Sequence, residues 1–267
     1  MKIIGIDAGG TLTKLVYEEG GRYHFKLFDS KNLDSVIKWV EIISPKASLY
    51  VTGGGAGKIK SIRKDVRVIP EFLAVEEGTR RLLKDQNHEL TRYIVVNIGT
   101  GTSFFIADDR NFTRVLGSGI GGGMFMGLGS RLTDVTDFAE LVRLAAKGQR
   151  ESLDLMVRDI YEDQETPVSG NLTAANFAKY KKGKTNDKDA LRSLTNMMAE
   201  TIILLANQLS IRYNVQSIVF IGGTLSGNTP LKEDLSQFKE MLDYHAIFPD
   251  NAGFTGSLGA LCLGMKD

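Results

Sequence analysis

The chain carries one strand–turn–strand unit twice, and this duplication constrains the fold more than any other feature of the sequence. The first copy is IIGIDAGGTLTKLVYEE at residues 3–19, and the second is YIVVNIGTGTSFFIADD at residues 93–109. The two copies align without a gap, so that Asn97 stands opposite Asp7. A unit used twice at this distance indicates two related lobes rather than a solenoid, whose period is shorter.

Each copy is followed by a third strand, and helical patterns alternate with strands through the rest of the chain. Further strands are predicted at 22–28, 47–57, 66–72, 111–117 and 217–223. Helices are predicted at 73–86, 137–148, 151–161, 190–213 and 257–264, with another that Ser30 or Asn32 caps. This alternation, with one unit used twice, predicts an α/β fold of two lobes that face each other across a cleft. We place the boundary near the polar stretch KDQNHELTR, which gives lobes of residues 1–90 and 91–267.

The composition is typical of a globular protein. The chain has 267 residues, of which 42% are apolar and 24% are charged, and this is enough to form a hydrophobic core. A net charge of +1 gives no reason to expect a nucleic-acid partner. The single Cys262 excludes an intrachain disulfide and suits a reducing compartment. The longest apolar segment, residues 201–211, is too short to span a membrane. Because Asp7 interrupts the first apolar run, we expect no signal peptide and a cytoplasmic protein.

The turn of the first copy matches neither familiar phosphate-binding loop. A P-loop and a dinucleotide fingerprint both lead into a helix, whereas a strand follows DAGGT here. The turn is therefore the tip of a β-hairpin, where Gly9 and Gly10 leave backbone N–H groups bare for phosphate oxygens. The other groups of this hairpin suited to phosphate or Mg²⁺ are Asp7, Thr11, Thr13 and Lys14. An isolated DAGGT would be an ordinary turn, but two facing hairpins are what a two-lobed ATPase requires.

Three further glycine clusters repeat this pattern. The second hairpin, NIGTGTS, offers hydroxyls from Thr100, Ser103 and Thr102, the last of which the alignment places near Thr11. GIGGGMFMGLG at 119–129 is either a helix entry suited to a phosphate or ribose, or a flexible loop. FIGGTLSGN, at the end of a central strand, lies where nucleotides bind in open α/β sheets.

Glu71 and Arg114 are the candidates for handling a phosphate acceptor. Glu71 ends the strand VRVIPE, directly before a helix, where partial burial beside Phe72 would raise its pKa and suit a catalytic base. The alternative is a first-turn Glu that favours the helix dipole. Arg114 can clamp a carboxylate or phosphate, or it is an ordinary surface arginine.

The motifs DAGGT, NIGTGTS, GGGMFMGLG and NLTAANF (residues 171–177), in this order and spacing, resemble those of type II pantothenate kinases. The resemblance runs from residue 2 to about residue 264. It implies duplicated RNase H-like lobes of the actin-like, acetate and sugar kinase superfamily. It also implies Mg²⁺- and ATP-dependent phosphorylation of the 4′-hydroxyl of pantothenate, the first step toward coenzyme A. A homodimer built on the long helix is implied as well, and coenzyme A or an acyl-CoA is a candidate regulator.

The resemblance also assigns roles to residues. The family's phosphate loop falls on Asp7, Ala8, Gly9, Gly10, Thr11, Leu12, Thr13 and Lys14, with Asp7 organising Mg²⁺. Its other nucleotide contacts fall on Thr100, Gly122, Gly123, Met124, Phe125, Met126, Phe138, Gly223 and Thr224. Its acceptor contacts fall on Glu71, Thr100, Ser103 and Arg114, with Glu71 as the catalytic base. The chain departs from the family pattern at Asn171, Ala178 and Phe138, where relatives carry Asp, Gly and Tyr.

Two other functions compete with this interpretation. A sugar or amino-sugar kinase of the same superfamily would place an Asp base in an Asn-Asp step, which is absent near residue 71. A non-catalytic ATPase that reports nucleotide state by lobe closure would resemble chaperone and filament relatives. Those relatives carry large insertions, for which 267 residues leave no room.

Overall fold

The computed structural model describes residues 2–161, 164–181 and 183–267. Their strands are β1 Ile3–Ala8, β2 Leu12–Glu19, β3 Arg22–Asp29, β4 Ser48–Thr52, β5 Val66–Val68, β6 Arg92–Ile98, β7 Thr102–Asp108, β8 Phe112–Ser118, β9 Leu155–Met156, β10 Thr173–Ala175, β11 Ser217–Ile221 and β12 His245–Ile247. Their α-helices are α1 Leu33–Ile43, α2 Ala56–Ile62, α3 Glu71–Asp85, α4 Gly122–Thr133, α5 Phe138–Ala145, α6 Val157–Tyr161, α7 Asp187–Tyr213, α8 Thr229–Ser236, α9 Lys239–Leu242 and α10 Thr255–Gly264. Within these residues, none of the helices combines the length and apolar character that a membrane crossing requires.

The two large sheets have the same topology. One has the strand order β3-β2-β1-β4-β5, and the other, read in the same direction, has β8-β7-β6-β11-β12. In each, the first three strands of the copy pair antiparallel, and two later strands add in parallel. The predicted duplication therefore extends from the hairpins to whole sheets, and the two-lobed α/β fold is confirmed.

The two hairpins differ in length, which the gapless alignment of their sequences did not predict. In the first, Ala8 pairs with Thr13 and the turn holds residues 9–12. In the second, Ile98 pairs with Thr102 and the turn is one residue shorter. Thr102 is thus the counterpart of Thr13, two residues from the predicted match near Thr11.

The last helix packs on the first sheet although it follows the second in the chain. The apolar face of α10 places Leu258 and Leu261 in one buried cluster with Val16 of β2. At Gly5 the approach is so close that a Cβ would lie 2.1 Å from the carbonyl oxygen of Ser257. The predicted division at residue 90 assigned this helix to the second lobe, but its packing places it with residues of the first.

Helix α3 makes the reciprocal connection, because its apolar face covers the second sheet. Val75 and Leu83 pack in one buried cluster with Val95 and Phe105. The helices α3 and α10 also touch through backbone, since a Cβ on Gly78 would lie 1.9 Å from the carbonyl oxygen of Thr255. The two helices therefore join the two lobes.

The helix predicted at 151–161 is wrong over most of its length. Leu155–Met156 forms a short strand that pairs with β10, and only Val157–Tyr161 is α-helical. The reason is tertiary: Asp154 is fully buried, and its carboxylate accepts hydrogen bonds from Phe177 N and Ser193 Oγ. These contacts replace the helical pairing that the apolar spacing predicted.

Candidate active site

The floor of the cleft is formed by Asp7, the polar residue near the end of β1. Its Oδ2 lies 3.8 Å from Lys14 Nζ, which reaches it from the paired strand β2. The same Nζ would lie 2.9 Å from a Cβ on Gly223, in the turn that follows β11. The first hairpin therefore meets the glycine turn of the second lobe, and Gly223 leaves the space that the ammonium group occupies.

Two glycines that the sequence analysis left outside the site hold Asp7 in place. A Cβ on Gly53, which has a φ of +86°, would lie 2.6 Å from Asp7 Oδ1. A Cβ on Gly256 would lie 3.0 Å from Oδ2. In the second lobe Gly222, with a φ of +107°, approaches Asn97 Oδ1 in the same way. The duplication could have identified Gly53 from the sequence, because Gly53 follows β4 as Gly222 follows β11 in the second lobe.

Burial raises the pKa of Asp7 above its ordinary value, the nearby Lys14 ammonium lowers it, and the charge of Glu71 raises it further. The side chain is one-fifth exposed, so the carboxylate is short of water yet open on one side. A nearby cation would stabilise the ionised form of such a carboxyl group. Mg²⁺ commonly uses one or two carboxylates, with phosphates and water completing its shell. Asp7 fits this role, and the described residues contain no group of three or more potential metal ligands that would suit an all-protein site.

The tip of the first hairpin is only partly available to a ligand. Gly10 and Thr11 are exposed, whereas Thr13 is fully buried. The Thr13 hydroxyl bonds to Ser30 Oγ at 2.9 Å, and Ser30 Oγ donates to the Gly9 carbonyl at 2.8 Å. The prediction that Thr13 offers its hydroxyl to phosphate is therefore wrong, since that hydroxyl ties the hairpin to the end of β3. Leu12 is half-buried, and the side chain of Ala8 is fully buried.

The second hairpin faces the first and is fastened to α4 and to the turn after β11. A Cβ on Gly10 would lie 3.9 Å from Thr100 Oγ1, which measures how near the tips approach. The amides of Gly122 and Gly123 donate to the carbonyls of residues 99 and 100, both at 2.9 Å. Thr224 Oγ1 donates to the residue 99 carbonyl at 2.8 Å. These bonds bring the last three glycine clusters together, and they use the Thr224 hydroxyl for structure.

The side chains of α4 belong mainly to the core. Phe125 is fully buried, while Met124 and Met126 are half-buried against the same cluster. Phe138 opens α5 and contacts the edge of Phe125 at 5.9 Å between ring centroids. Phe125 can therefore offer a nucleotide only its backbone. The half-buried Phe138 keeps an open face.

Glu71 is the first residue of α3, and Ile69 and Pro70 separate it from the end of β5 at Val68. Its side chain is exposed, so the expected partial burial beside Phe72 is wrong. Its charge nevertheless contributes to the raised pKa of Asp7, so the two carboxylates lie near enough to interact electrostatically.

Arg114, Ser103 and Phe72 meet beside Glu71. Arg114 Nε donates to Ser103 Oγ at 3.3 Å, and its guanidinium lies 5.9 Å from the centre of the Phe72 ring. Because Phe72 directly follows Glu71 in α3, a carboxylate, a hydroxyl and a guanidinium line one edge of the cleft. This set can bind a small molecule that carries both hydroxyl and anionic groups.

Solved structures with this fold bind ATP analogues. The activator of 2-hydroxyisocaproyl-CoA dehydratase from Clostridium difficile, solved with ADPNP, is similar at a TM-score of 0.66 and 17% identity, over 100% of this chain and 95% of that chain. A ROK-family glucokinase from Streptomyces griseus, solved with glucose and AMPPNP, is similar at 0.57 and 16% identity, over the whole of both chains. The chain therefore has the two-lobed α/β fold of these two proteins.

Sequence comparison identifies the family within that fold. The profile of the Fumble family matches residues 67–263. Type II pantothenate kinases from Oceanobacillus iheyensis and Staphylococcus epidermidis are 43% and 38% identical, over 98% and 97% of this chain and 99% of each relative. A type II pantothenate kinase from Staphylococcus aureus is 37% identical over 98% of this chain and 99% of its own. The chain belongs to the Fumble family, that of the type II pantothenate kinases.

Proposed function

We propose that this protein transfers the γ-phosphoryl group of ATP to the 4′-hydroxyl of (R)-pantothenate, giving 4′-phosphopantothenate in the first step of coenzyme A biosynthesis. The observation that carries the proposal is full-length similarity to relatives with this name. Its support in the site is the position of Glu71 and Arg114 on the cleft that also holds the Asp7 hairpin.

In this proposal the two hairpins bind the phosphates, and the acceptor lies along the Glu71 edge. Glu71 takes the proton of the attacking hydroxyl, while Arg114 and Ser103 hold the acceptor. The tip amides and Lys14 bind phosphate oxygens, and Thr100 stands between the nucleotide and the acceptor. Mg²⁺ would lie at Asp7 and offset the charge of the phosphates. Most of the rate gain is then positioning and charge stabilisation, as is usual for phosphoryl transfer.

A sugar kinase remains the main competitor because glucokinases share the fold. The glucokinase is only 16% identical in sequence, so its similarity to this chain concerns the fold alone. A non-catalytic nucleotide sensor is the second competitor. An ADP-release assay with pantothenate and a small panel of sugars separates the three, since a sensor binds ATP without acceptor-dependent turnover.

The base is tested by Glu71→Gln, which keeps the size and removes the proton acceptor. We expect kcat to fall about 10²- to 10⁴-fold, because general-base catalysis contributes that range. Glu77→Gln is the matched control on the same helix, since Glu77 pairs with Lys266 at 2.8 Å, away from the cleft. Near-normal turnover of Glu71→Gln would contradict the assignment.

We also propose a cytoplasmic homodimer that uses α7. Leu204 and Ile211 lie seven residues apart on one face of this helix and are 49% and 68% exposed. Ile211→Arg should shift the protein toward monomer in sedimentation velocity, whereas Ile42→Arg, at a 79% exposed site on α1, should not. Adding acetyl-CoA to the ADP-release assay tests whether an acyl-CoA regulates the enzyme.

A further inference from the structure

Arg114 lies beside an irregularity in the pairing of β7 and β8. The register shifts just before Phe105, which makes Val115 an extra residue on β8. Ser103 pairs with Gly117, and Phe105 pairs with Arg114. Residues three apart on a regular strand face opposite sides, but this bulge places Gly117 and Arg114 on one face. The bulge therefore directs the arginine toward the site.

Gly117 provides the space that the Arg114 side chain fills. A Cβ at position 117 would lie 1.9 Å from Arg114 Nη2 and 3.0 Å from its Cζ. The guanidinium lies against the bare backbone, and from there its Nε reaches Ser103 Oγ. Any side chain at position 117 would displace the guanidinium from this position.

Phe72 borders the guanidinium from the neighbouring helix α3. The ring centre is 5.9 Å from Arg114 Cζ, within the range of a cation–π contact. The ring also packs edge-on against Phe105, with 5.4 Å between centroids, which fixes its orientation. Phe72 is 48% exposed, so burial in the core accounts for only part of its surface.

We propose that Phe72 and Gly117 are positioning residues that hold the Arg114 guanidinium in the orientation that binds the phosphate acceptor. The inference rests on the proposed function and adds two residues to it. Because Phe72 directly follows Glu71, the first turn of α3 fixes the base and the arginine relative to each other. A shift of this turn would therefore disturb proton removal and acceptor binding together.

Phe72→Leu and Gly117→Ala test the proposal. The KM for pantothenate of each variant is compared with that of the wild-type enzyme. We expect the KM for pantothenate to rise about two- to fivefold in Phe72→Leu, the worth of an exposed cation–π contact. In Gly117→Ala it should rise about tenfold or more, because small displacements of a binding group are costly. The KM for ATP should stay unchanged in both. Phe72→Tyr, which keeps the ring, should restore the wild-type value.

Two further measurements separate positioning from a general effect on folding. In an Arg114→Gln background, Phe72→Leu should not raise the KM for pantothenate any further, because its effect depends on the arginine. The Nε–Hε NMR signal of Arg114 should be shifted by the Phe72 ring and should move in Phe72→Leu. Leu73→Ala, at a 45% exposed neighbouring site, is the control that should change neither signal nor KM.

The proposal is overturned if Phe72→Leu and Gly117→Ala both leave the pantothenate KM within twofold of wild type. It is also overturned if the losses of Phe72→Leu and Arg114→Gln simply add, or if the Arg114 signal does not move. A wild-type protein without pantothenate-dependent turnover would instead contradict the proposed function. The NMR comparison would then still decide whether Phe72 orients Arg114.

Discussion

Asp7 is held where its charge is costly, and this has a measurable effect on stability. Its pKa is raised chiefly by burial, which outweighs the attraction of Lys14. A carboxyl group whose pKa is higher in the folded state favours folding below its unfolded-state pKa of about 4. That contribution is lost as the pH rises through the folded-state pKa. At neutral pH, the raised pKa of Asp7 therefore lowers the free energy of unfolding of the metal-free protein.

Asp7→Asn should make the protein more stable and less active at the same time. In EDTA at pH 7 we expect a higher Tm than wild type, and the difference should vanish as the pH falls toward 4. Turnover with Mg-ATP should drop about 100-fold or more, because metal ions stabilise the charge of the transition state strongly. Asp109→Asn, at an exposed turn, is the control for the loss of one charge. A lower Tm for Asp7→Asn would contradict the burial argument.

Single residues of the site were predicted unevenly from the sequence. The residue types of the first hairpin indicated a phosphate site, but they did not indicate which hydroxyl faces the cleft. Thr11 and Thr13 look alike in sequence, and only the strand register and Ser30 show that Thr13 points inward. Phe72 was noted only as a neighbour of Glu71, because its contact with Arg114 joins distant parts of the chain.

At the scale of elements, the crossing of α3 and α10 depends on two small residues. A Cβ on Gly78 would lie 1.9 Å from the carbonyl oxygen of Thr255, and a Cβ on Gly259 would lie 1.8 Å from that of Ala74. Backbone cannot move aside as a flexible side chain can. The two helices can touch this closely only while both positions lack a side chain.

Gly78→Ala should therefore destabilise the protein although alanine favours helices. Overpacking should lower the free energy of unfolding by about 1–3 kcal/mol, and the higher helix propensity of alanine should offset about 1 kcal/mol of this. Gly127→Ala, in α4 with nothing within 4 Å of the added Cβ, should be neutral or stabilising. Chemical denaturation of both variants measures the difference, and equal stabilities would show that the helices adjust to the added methyl.

Elements with a strong apolar period were predicted well, whereas those set by distant contacts were not. The period of α7 predicted a helix at 190–213, and the structure has Asp187–Tyr213 with Asn186 as its cap. Helix α1 was predicted with Ser30 or Asn32 as its cap, and in the structure Asn32 Oδ1 accepts from Ser35 N. The short helices α2, α8 and α9 carry weak periods and were missed.

At the scale of the whole molecule, the lobes exchange helices, so a core mutation should act on the lobe that it touches in space. Leu261→Ala removes buried apolar surface from α10, and we expect the free energy of unfolding to fall by about 2–5 kcal/mol. Hydrogen exchange should then accelerate in β1, β2 and β4 more than in β6 and β7. Leu194→Ala in the second core should give the opposite pattern. Faster exchange of β6 and β7 in Leu261→Ala would contradict the packing described.

The position of α10 also fixes an order of events during synthesis. A nascent chain leaving the ribosome presents β1 to β5 first, but the helix that covers β1 and β2 is made only after the entire second sheet. Until then Val16 and Gly5 face no partner from α10. The first lobe therefore stays without its covering helix, and open to chaperones and proteases, during synthesis of the second lobe. The strands of the second sheet, in contrast, are all made before α10. Completion of the cleft is thus tied to translation of α10, whose Gly256 lies against Asp7.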